Sequence, residues 1–310
     1  MRSGSNSLSR VKVTNADRIV FPEDGISKGD VVDYYRKVSG RLLSFVSGRA
    51  LTVERYPRGL GARGFMQKNA PEHYPEDLID RHVVPKDGGT TVYPVIHSTE
   101  GIEFFANLGV ITFHVPPSLA KDWERPDWII WDLDPPEERL NLVRQAAQRL
   151  KERLDGHSIS TQLMTSGSKG YHLRARIRPG MAWDEVAHIA RALAALVAAD
   201  NEDIMTLAFR KSERGERVFV DWLRNAPYST SVAPWSLRAR PGAPVAAPLR
   251  WDELEDVAPD DVRMSSIDQR LDTDPWEDTE PVDLGGLGEL VDAELDAAAI
   301  TLEPFDRFRS

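Results

Sequence analysis

The chain has 310 residues, of which 41% are hydrophobic and 28% charged, and its formal net charge at pH 7 is −10. This length and composition predict a globular protein with a sizeable core, folded as one large domain or two small ones. The sequence contains no cysteine, which excludes disulfides, thiol nucleophiles and cysteine-ligated zinc.

The charges are distributed unevenly along the chain. Residues 1–70 contain 13 Lys and Arg against 6 Asp and Glu, a balance of +7, whereas residues 251–310 contain 4 against 19, a balance of −15. A basic region can bind a polyanion although the whole chain is acidic. Nucleic-acid binding is therefore one interpretation of this pattern, and a charge asymmetry without function is the other. Apolar runs are too short to span a membrane, and residues 1–10 lack the apolar stretch of a signal peptide. We therefore expect a cytoplasmic protein.

The hydrophobic pattern mixes helices with hairpin-like strand pairs, which predicts an α+β fold rather than a regular parallel βαβ array. Sequence beyond Pro241 becomes rich in Pro and Ala and then acidic, which predicts a main domain over 1–270 and an acidic linker with a short helix over 271–310. In chain order we first predict a helix over 26–45 with Ser27 as N-cap, then strands within 50–59 and 64–73, a loop-rich stretch over 70–90 and an extended segment over 91–98. A helix over 98–110, strands over 111–117 and 127–136, and a helix over 137–156 follow. The last predicted elements are a strand, a turn and a strand over 158–177, a helix over 182–200, a strand over 216–225 and a helix within 286–299.

Two acids end the apolar strand "DWIIWDLDPP". Asp132 and Asp134 are spaced i and i+2, so they point to one face of the strand while Leu133 points to the other. Like charges this close repel each other unless a cation lies between them, and oxygen ligands suit Mg²⁺ or Mn²⁺. The alternative is that both acids sit in a turn and cap the helix predicted from Glu137.

A third acid, Asp221, lies in the apolar stretch "RVFVDWLRN" and alternates with Phe219 and Leu223. A carboxylate in such a strand is costly unless it is paired or metal-bound. Three aspartates on neighbouring strands would suit two-metal phosphoryl chemistry.

The segment "TSGSKGYHL" is a small turn between two predicted strands. Its backbone N–H groups could approach a phosphate, with Ser166 in the turn, Lys169 as a point charge and His172 on the outgoing strand. It lacks the spacing of a Walker A loop. The alternative is an ordinary hairpin turn with a surface lysine.

Basic residues, among them Arg214 and Arg224, surround Asp221 in the sequence, and Arg238 follows downstream. Around a metal site they would neutralise a triphosphate. The alternative is a solvated basic surface.

Jointly, several stretches resemble the polymerase domain of bacterial ligase D, in the archaeo-eukaryotic primase superfamily, and the free-standing primase-polymerases of actinobacteria. The resemblance covers about residues 10–270 and rests on "VTNADRIVFPEDGISKGDVVDYY", "GFMQKNAPEH", "FFANLGVITFH", "DWIIWDLDPP", "TSGSKGYHL", "RVFVDWLRN" and "SVAPWSLRARPGAPVAAPLRW". It implies a modified RRM-like pair of sheets with flanking helices.

The resemblance also implies residue roles. Asp132, Asp134 and Asp221 match the metal ligands, for two Mn²⁺ or Mg²⁺ ions. The nucleotide-binding positions match Ser166, Lys169, His172, Arg238, Phe65, Lys68 and His114, to which we add Arg214 and Arg224 from their place in the sequence. The pocket for a DNA 5′-phosphate matches Asn15, Arg18 and Lys28. Arg18 stands where lysine is common, and Met66 where a second aromatic often follows Phe65.

The expected activity is template-dependent addition of nucleotides, NTPs in preference to dNTPs, to a primer 3′-hydroxyl at short gaps or broken DNA ends in non-homologous end joining. Expected partners are DNA bearing a 5′-phosphate, a separate ATP-dependent ligase and Ku, for a monomer at the nucleoid. Two other functions stay open: a metal-dependent nuclease that uses the same acids, and a catalytically silent module that binds DNA ends.

Overall fold

The computed structural model describes residues 11–86, 89–136, 139–277 and 279–304. Within these residues the helices are α1 (Lys28–Val46), α2 (Thr99–Asn107), α3 (Leu140–Gly156), α4 (Trp183–Asp200), α5 (Lys211–Arg214) and α6 (Leu287–Ala297). The strands are β1 (Ile19–Phe21), β2 (Ile26–Ser27), β3 (Thr52–Arg55), β4 (Phe65–Gln67), β5 (Asp80–Lys86), β6 (Gly89–Val95), β7 (Val110–Val115), β8 (Trp128–Asp134), β9 (Gln162–Thr165), β10 (Tyr171–Arg176), β11 (Met205–Thr206), β12 (Val218–Asp221), β13 (Ser231–Val232) and β14 (Pro248–Leu249).

The chain divides into two compact units. The first comprises the residues up to Val115 together with Val232–Val245 and Arg263–Ser265, and the second comprises the remainder. In the first unit, α1 packs on α2 beside a four-stranded sheet of order β13–β7–β3–β4. Strands β1 and β2 form one hairpin, and β5 and β6 form another. The prediction of an α+β fold with antiparallel strand pairs is confirmed.

Helix α1 begins where the sequence predicts. The Ser27 hydroxyl accepts a hydrogen bond from the Asp30 N–H, and the Asp30 carboxylate accepts one from the Ser27 N–H. This reciprocal capping satisfies backbone donors that the first helical turn leaves unpaired. It also fixes the position of Lys28, the first residue of the helix.

The second unit is built on a six-stranded sheet of order β11–β12–β8–β10–β9–β14. Strands β11 and β12 are parallel, and the other neighbouring pairs are antiparallel. Strand β8 therefore lies inside the sheet, between β12 and β10. A strand paired on both sides is a rigid support for side chains at its end.

Alternate residues of β8 serve different purposes. Trp131 and Leu133 are fully buried in the core that α3 and α4 form against the sheet, and the Trp131 indole N–H donates to the Ala190 carbonyl at 2.9 Å. Asp132 and Asp134 point to the opposite face because side chains alternate along a strand. The prediction that Leu133 packs into apolar surroundings is confirmed.

The acidic C-terminal segment is part of the second unit and packs within it. The Trp276 indole N–H lies 3.1 Å from the Leu163 carbonyl and 3.2 Å from the Leu249 carbonyl. Helix α6 then packs on α4, where His188 Nε2 lies 2.7 Å from an Asp292 carboxylate oxygen. Since α4 covers the Trp131 side of the sheet, α6 lies on that side, away from the face carrying Asp132. Residues 305–310 of the predicted C-terminal segment lie outside the described part.

The short strands β1, β11, β13 and β14 were not predicted from the sequence, and three longer elements differ from their predicted bounds. The stretch predicted as loop-rich contains β5, which pairs with β6 in a two-stranded ribbon. The proline and charged residues of β5 are not typical of a strand, so the sequence pattern did not predict it. The strand predicted over 216–225 ends at Asp221, where a 3₁₀ turn begins at Leu223. Helix α3 is described from Leu140, with Arg139 as N-cap and no side-chain capping bond. The predicted start at Glu137 lies outside the described residues. Within the described residues, we find no helix with the length and apolarity required to cross a bilayer.

Candidate active site

Three aspartates meet where β8 and β12 pair. Asp132 is the cross-strand partner of Asp221, and Asp134 follows two residues later on the same face. One ligand oxygen of each carboxylate lies within 4.8 Å of the others. Asp132 and Asp221 are each only 7% exposed, and Asp134 is partly exposed. The three acids thus form one cluster on strands, which is not the arrangement of helix-capping residues.

Burial and mutual repulsion disfavour the charged forms of these acids. Burial, followed by the charges of Asp132 and Asp221, raises the pKa of Asp134 to about 6. Burial also raises the pKa of Asp221, although Arg224 opposes that shift. A divalent cation among the carboxylates would relieve both effects. Three hard oxygen donors fit Mg²⁺ or Mn²⁺ and would not favour a soft metal.

Arg224 joins two of the carboxylates. Its Nη2 lies 3.0 Å from Asp132 Oδ2 and 3.0 Å from Asp221 Oδ2, and its Nε donates to Asp132 Oδ2 at 3.1 Å. Burial lowers the pKa of Arg224, but the charges of Asp132 and Asp221 outweigh it and raise that pKa overall. The guanidinium is therefore a permanent positive charge at the centre of the cluster.

His172 lies on the other side of Asp132. It is the cross-strand partner of Asp132 on β10, and its Nε2 is 3.3 Å from Asp132 Oδ1. Asp221, Asp132 and His172 therefore form a row across three adjacent strands on one face of the sheet. This row places a potential hydrogen-bond donor directly beside the acids.

The turn "SGSKG" (166–170) joins β9 to β10 next to this row. The Ser166 hydroxyl accepts hydrogen bonds from the N–H groups of Ser168 and Gly170, both at 3.1 Å. The Ser166 N–H donates to the Gly170 carbonyl at 2.9 Å. The Ser166 side chain thus organises the turn from within, while Lys169 is exposed at its tip.

Gly170 brings the turn against the strand that carries two of the acids. A methyl group built on Gly170 would lie 1.8 Å from the Leu133 carbonyl oxygen and 3.2 Å from Pro135 Cδ. Leu133 stands between Asp132 and Asp134. A side chain at position 170 is therefore incompatible with the observed spacing of the turn and the acids.

Arg214, at the end of α5, lies close enough to the acids to lower the pKa of Asp134 and Asp221. Its guanidinium donates to the carbonyls of Ala208 at 3.1 Å and Phe209 at 3.0 Å. The guanidinium carbon lies 3.8 Å from the centre of the Phe219 ring. The local backbone thus holds Arg214 in place beside β12.

The other four residues of the predicted nucleotide set lie in the first unit. Phe65 is 48% exposed on the edge strand β4, with the Arg55 guanidinium carbon 5.4 Å from its ring centre. Lys68 is exposed just beyond β4. His114 is half-buried on β7 opposite Thr52 on β3. Arg238 is half-buried in the segment after β13, and its N–H donates to the Pro244 carbonyl at 2.8 Å.

A tyrosine and a glutamate near Arg238 are absent from the sequence prediction. The Tyr56 hydroxyl donates to the Glu54 carboxylate at 2.8 Å. Burial and then Glu54 raise the pKa of Tyr56 to about 12, and the charge of Arg238 opposes the shift. The i, i+2 spacing of Glu54 at the end of β3 and Tyr56 just beyond it is a weak signal, because it does not identify a partner.

The structure brings together the three residues predicted to bind a DNA 5′-phosphate. Asn15 has a left-handed backbone, with φ of 49°, and its carbonyl accepts the Arg18 N–H at 3.1 Å. The Arg18 carbonyl in turn accepts the Lys28 N–H at 2.7 Å. The Lys28 ammonium donates to Thr14 Oγ1 at 3.0 Å, and burial, followed by the charge of Arg18, lowers the pKa of Lys28. Two cations are thus held close together near the start of α1.

Asn225 is a further residue that the sequence prediction missed. It is completely buried and makes three hydrogen bonds near the acids. A polar residue ending the apolar stretch "FVDWLRN" is a weak signal, because the local pattern does not show that its side chain is buried.

Comparison with known proteins agrees with this geometry. Residues 27–276 match the family model described as LigD, primase-polymerase domain. The multifunctional non-homologous end joining protein LigD of Mycolicibacterium smegmatis is 31% identical over 272 residues, which are 87% of this chain and 36% of that protein. The corresponding protein of Mycobacterium tuberculosis is 33% identical over 277 residues, 86% of this chain and 36% of its own length. This chain thus spans little more than a third of these relatives.

Among solved structures, the polymerase domain of Mycobacterium tuberculosis ligase D in complex with DNA is similar with a TM-score of 0.78 and 31% sequence identity. The alignment covers 84% of this chain and 96% of that domain. The family model covers more than half of this chain, and the structural alignment covers almost the whole of the solved domain. The chain belongs to the LigD primase-polymerase domain family.

Proposed function

We propose that this protein is a template-dependent nucleotidyltransferase that extends a primer 3′-hydroxyl, preferably with ribonucleotides, at short gaps or broken DNA ends. The observation that carries the proposal is the row of Asp221, Asp132 and His172, with Asp134 beside it. Family membership supports the same activity. The M. tuberculosis domain was solved with DNA, and the full-length relatives are named for non-homologous end joining.

In this proposal, Asp132, Asp134 and Asp221 hold two divalent cations, Mn²⁺ or Mg²⁺. When bound, such ions favour the deprotonated primer hydroxyl and neutralise charge on the transferred phosphate. The primer 3′-hydroxyl loses its proton to solvent, its oxygen forms a bond to the α-phosphorus, and the bond from that phosphorus to the bridging oxygen breaks, which releases pyrophosphate. The rigid strand β8 keeps the carboxylates in place during this displacement.

The remaining side chains bind the nucleotide. Lys169, His172 and Arg238 contact the triphosphate, assisted by Arg214 and Arg224, and the turn ordered by Ser166 presents backbone N–H groups to it. Phe65 stacks on the base, while Lys68 and His114 contact the base and sugar. The roles of Ser166, Lys169, His172, Arg214 and Arg224 rest on their positions around the acids in the second unit and on the family resemblance. Those of Phe65, Lys68, His114 and Arg238 rest on the family resemblance.

Asn15, Arg18 and Lys28 form the proposed pocket for a 5′-phosphate on the far side of a gap. Two adjacent cations beside a helix N-terminus suit a phosphate, because the helix dipole favours negative charge there. This pocket would favour gaps and ends over long single-stranded templates. We further propose a monomer at the nucleoid that cooperates with a separate ATP-dependent ligase and Ku, in which residues 1–270 form the catalytic domain.

The test is addition of one nucleotide to a gapped duplex that carries a 5′-phosphate, with Mn²⁺ and either ATP or dATP opposite a templating T. We expect one addition, faster with ATP. The double variant Asp132→Ala/Asp134→Ala should be inactive and still bind the DNA. Glu202→Ala/Asp203→Ala, two exposed acids after α4, is the matched control and should retain activity. Extension by the Asp132→Ala/Asp134→Ala variant would refute the metal assignment.

Two rival functions give different results in the same assay. A nuclease would shorten the labelled strand when metal is present and nucleotide is absent. A silent end-binding module would bind the duplex tightly and add nothing. The cationic side chains around the acids favour a nucleotide-binding enzyme over a nuclease, because a triphosphate carries more charge than a single phosphodiester. The intact cluster of three aspartates argues against a catalytically silent module.

A further inference from the structure

The side chain of Asn225 makes hydrogen bonds to β8 that the backbone of a neighbouring strand would otherwise make. The ladder between β12 and β8 ends at the pair Asp221 and Asp132 because Asp221 Oδ1 accepts the Leu223 N–H at 2.9 Å and starts the 3₁₀ turn. At Ile130, two residues before Asp132 on β8, the Asn225 side-chain amide makes the hydrogen bonds instead of a strand backbone. Its Oδ1 accepts the Ile130 N–H at 2.8 Å, and its Nδ2 donates to the Ile130 carbonyl at 2.6 Å.

The second Nδ2 hydrogen donates to the Trp222 carbonyl at 2.8 Å. Both N–H donors of the amide are therefore used, and the side chain is completely buried. One end of this arrangement is the backbone of β8 two residues before Asp132. The other end is the turn that follows Asp221. The Asn225 amide thus fixes the turn relative to the strand.

The residue that this turn carries is Arg224. Its guanidinium contacts Asp132 and Asp221 at 3.0 Å each, so a shift of the turn would move it relative to both carboxylates. Buried groups held by several hydrogen bonds transmit small shifts because dense packing leaves no room to absorb them. The position of Arg224 between the acids therefore depends on Asn225.

We propose that Asn225 is a positioning residue that holds the Arg224 guanidinium between Asp132 and Asp221. This inference rests on the proposed function only in taking those acids as the metal ligands. A cation fixed at this place competes with a divalent ion for the same carboxylates. Asn225 would then limit metal binding before the nucleotide arrives, and keep Arg224 available where the triphosphate is to be neutralised.

The test is the affinity of the full chain for Mn²⁺ without nucleotide or DNA, measured from the free-ion signal in electron paramagnetic resonance. Releasing a unit charge from within about 5 Å of a dication should tighten Mn²⁺ binding on the order of tenfold. We expect this gain for Asn225→Ala, together with a higher KM for the nucleotide. A purely structural role predicts the opposite, since a loosened site binds the ion more weakly.

The matched control is Asn201→Ala. Asn201 also donates from Nδ2 to a backbone carbonyl, that of Val197, at 2.8 Å in the same unit, but at the end of α4. Its removal should leave Mn²⁺ affinity unchanged within about twofold, the range usual for changes distant from a site. If Asn225→Ala does not fold, Asn225→Ser, which is smaller, carries no charge and keeps a hydroxyl that can accept from the Ile130 N–H, should give the same direction of change.

A double-variant cycle shows whether the effect passes through Arg224. Arg224→Gln alone should tighten Mn²⁺ binding at least as much as Asn225→Ala, and the double variant should gain nothing more. Weaker or unchanged Mn²⁺ binding in Asn225→Ala, or additive effects in the double variant, would overturn the inference. Failure of the proposed function would appear separately, as a wild-type protein that binds Mn²⁺ through Asp132 yet extends no primer.

Discussion

Replacing Gly170 by alanine should disable the site without removing any candidate functional group. The added methyl carbon would lie 1.8 Å from the Leu133 carbonyl oxygen, whereas ordinary contacts begin at 3.4 Å, so turn and strand must separate by 3.4 − 1.8 = 1.6 Å. Both partners are backbone atoms, and no side-chain rotation can relieve the clash. Displacements of about 1 Å at a reacting centre cost on the order of 100-fold in rate.

The assay compares kcat for single-nucleotide extension with the midpoint of thermal unfolding. We expect Gly170→Ala to lose about 100-fold or more in kcat, and to lose about 1–3 kcal/mol of unfolding free energy, as overpacked sites do. Gly180→Ala is the control, because a methyl group there would meet nothing within 4 Å. A Gly170→Ala protein with wild-type kcat would refute the claim that the turn must touch the strand between Asp132 and Asp134.

Four further predictions concern pH, DNA binding and stability. Because the pKa of Asp134 is raised from 3.8 to about 6, Mn²⁺ titrations should show affinity falling about tenfold per pH unit below 6 and level above it. The folded state also holds this proton more tightly, so the metal-free protein should lose stability as pH rises from 4 to 6. Lys28→Met should abolish the preference for 5′-phosphorylated over unphosphorylated gaps in binding assays, whereas Lys37→Met, exposed on the same helix, should retain it. Trp276→Ala should cost about 3–5 kcal/mol in urea unfolding, since it removes a buried indole, and a cost below 1 kcal/mol would show that the segment is not anchored.

The sequence was most informative where local chemistry is enough. The i, i+2 spacing of Asp132 and Asp134 in an apolar strand predicts that they share a face, and the structure agrees because strand alternation needs no tertiary information. The same holds for Ser27, whose capping depends only on Asp30 three residues later. Asp221 was also found, because a lone carboxylate in an apolar run is costly wherever the strand lies.

What the sequence could not show depends on which strands become neighbours. The row of Asp221, Asp132 and His172 follows from the order β12–β8–β10, which brings together residues about 90 and 40 positions apart, and no local pattern encodes that register. Asn225 was missed for the same reason, since its partner Ile130 lies 95 positions away. The close approach of Gly170 to Leu133 is likewise a property of strand pairing.

Net charge is a poor guide to function in this chain because opposite charges are segregated. A formal charge of −10 would repel a polyanion if it were spread evenly. At physiological ionic strength, however, exposed charges are screened beyond about 8 Å, so DNA responds to the residues it touches. Helix α6, with its acidic residues, packs on α4, on the helical side of the sheet and away from the face bearing Asp132. Those acids therefore lie on the helical side of the sheet, away from the candidate site. The salt dependence of DNA binding should accordingly reflect a few local cations, Arg18 and Lys28 among them, rather than the charge of the whole chain.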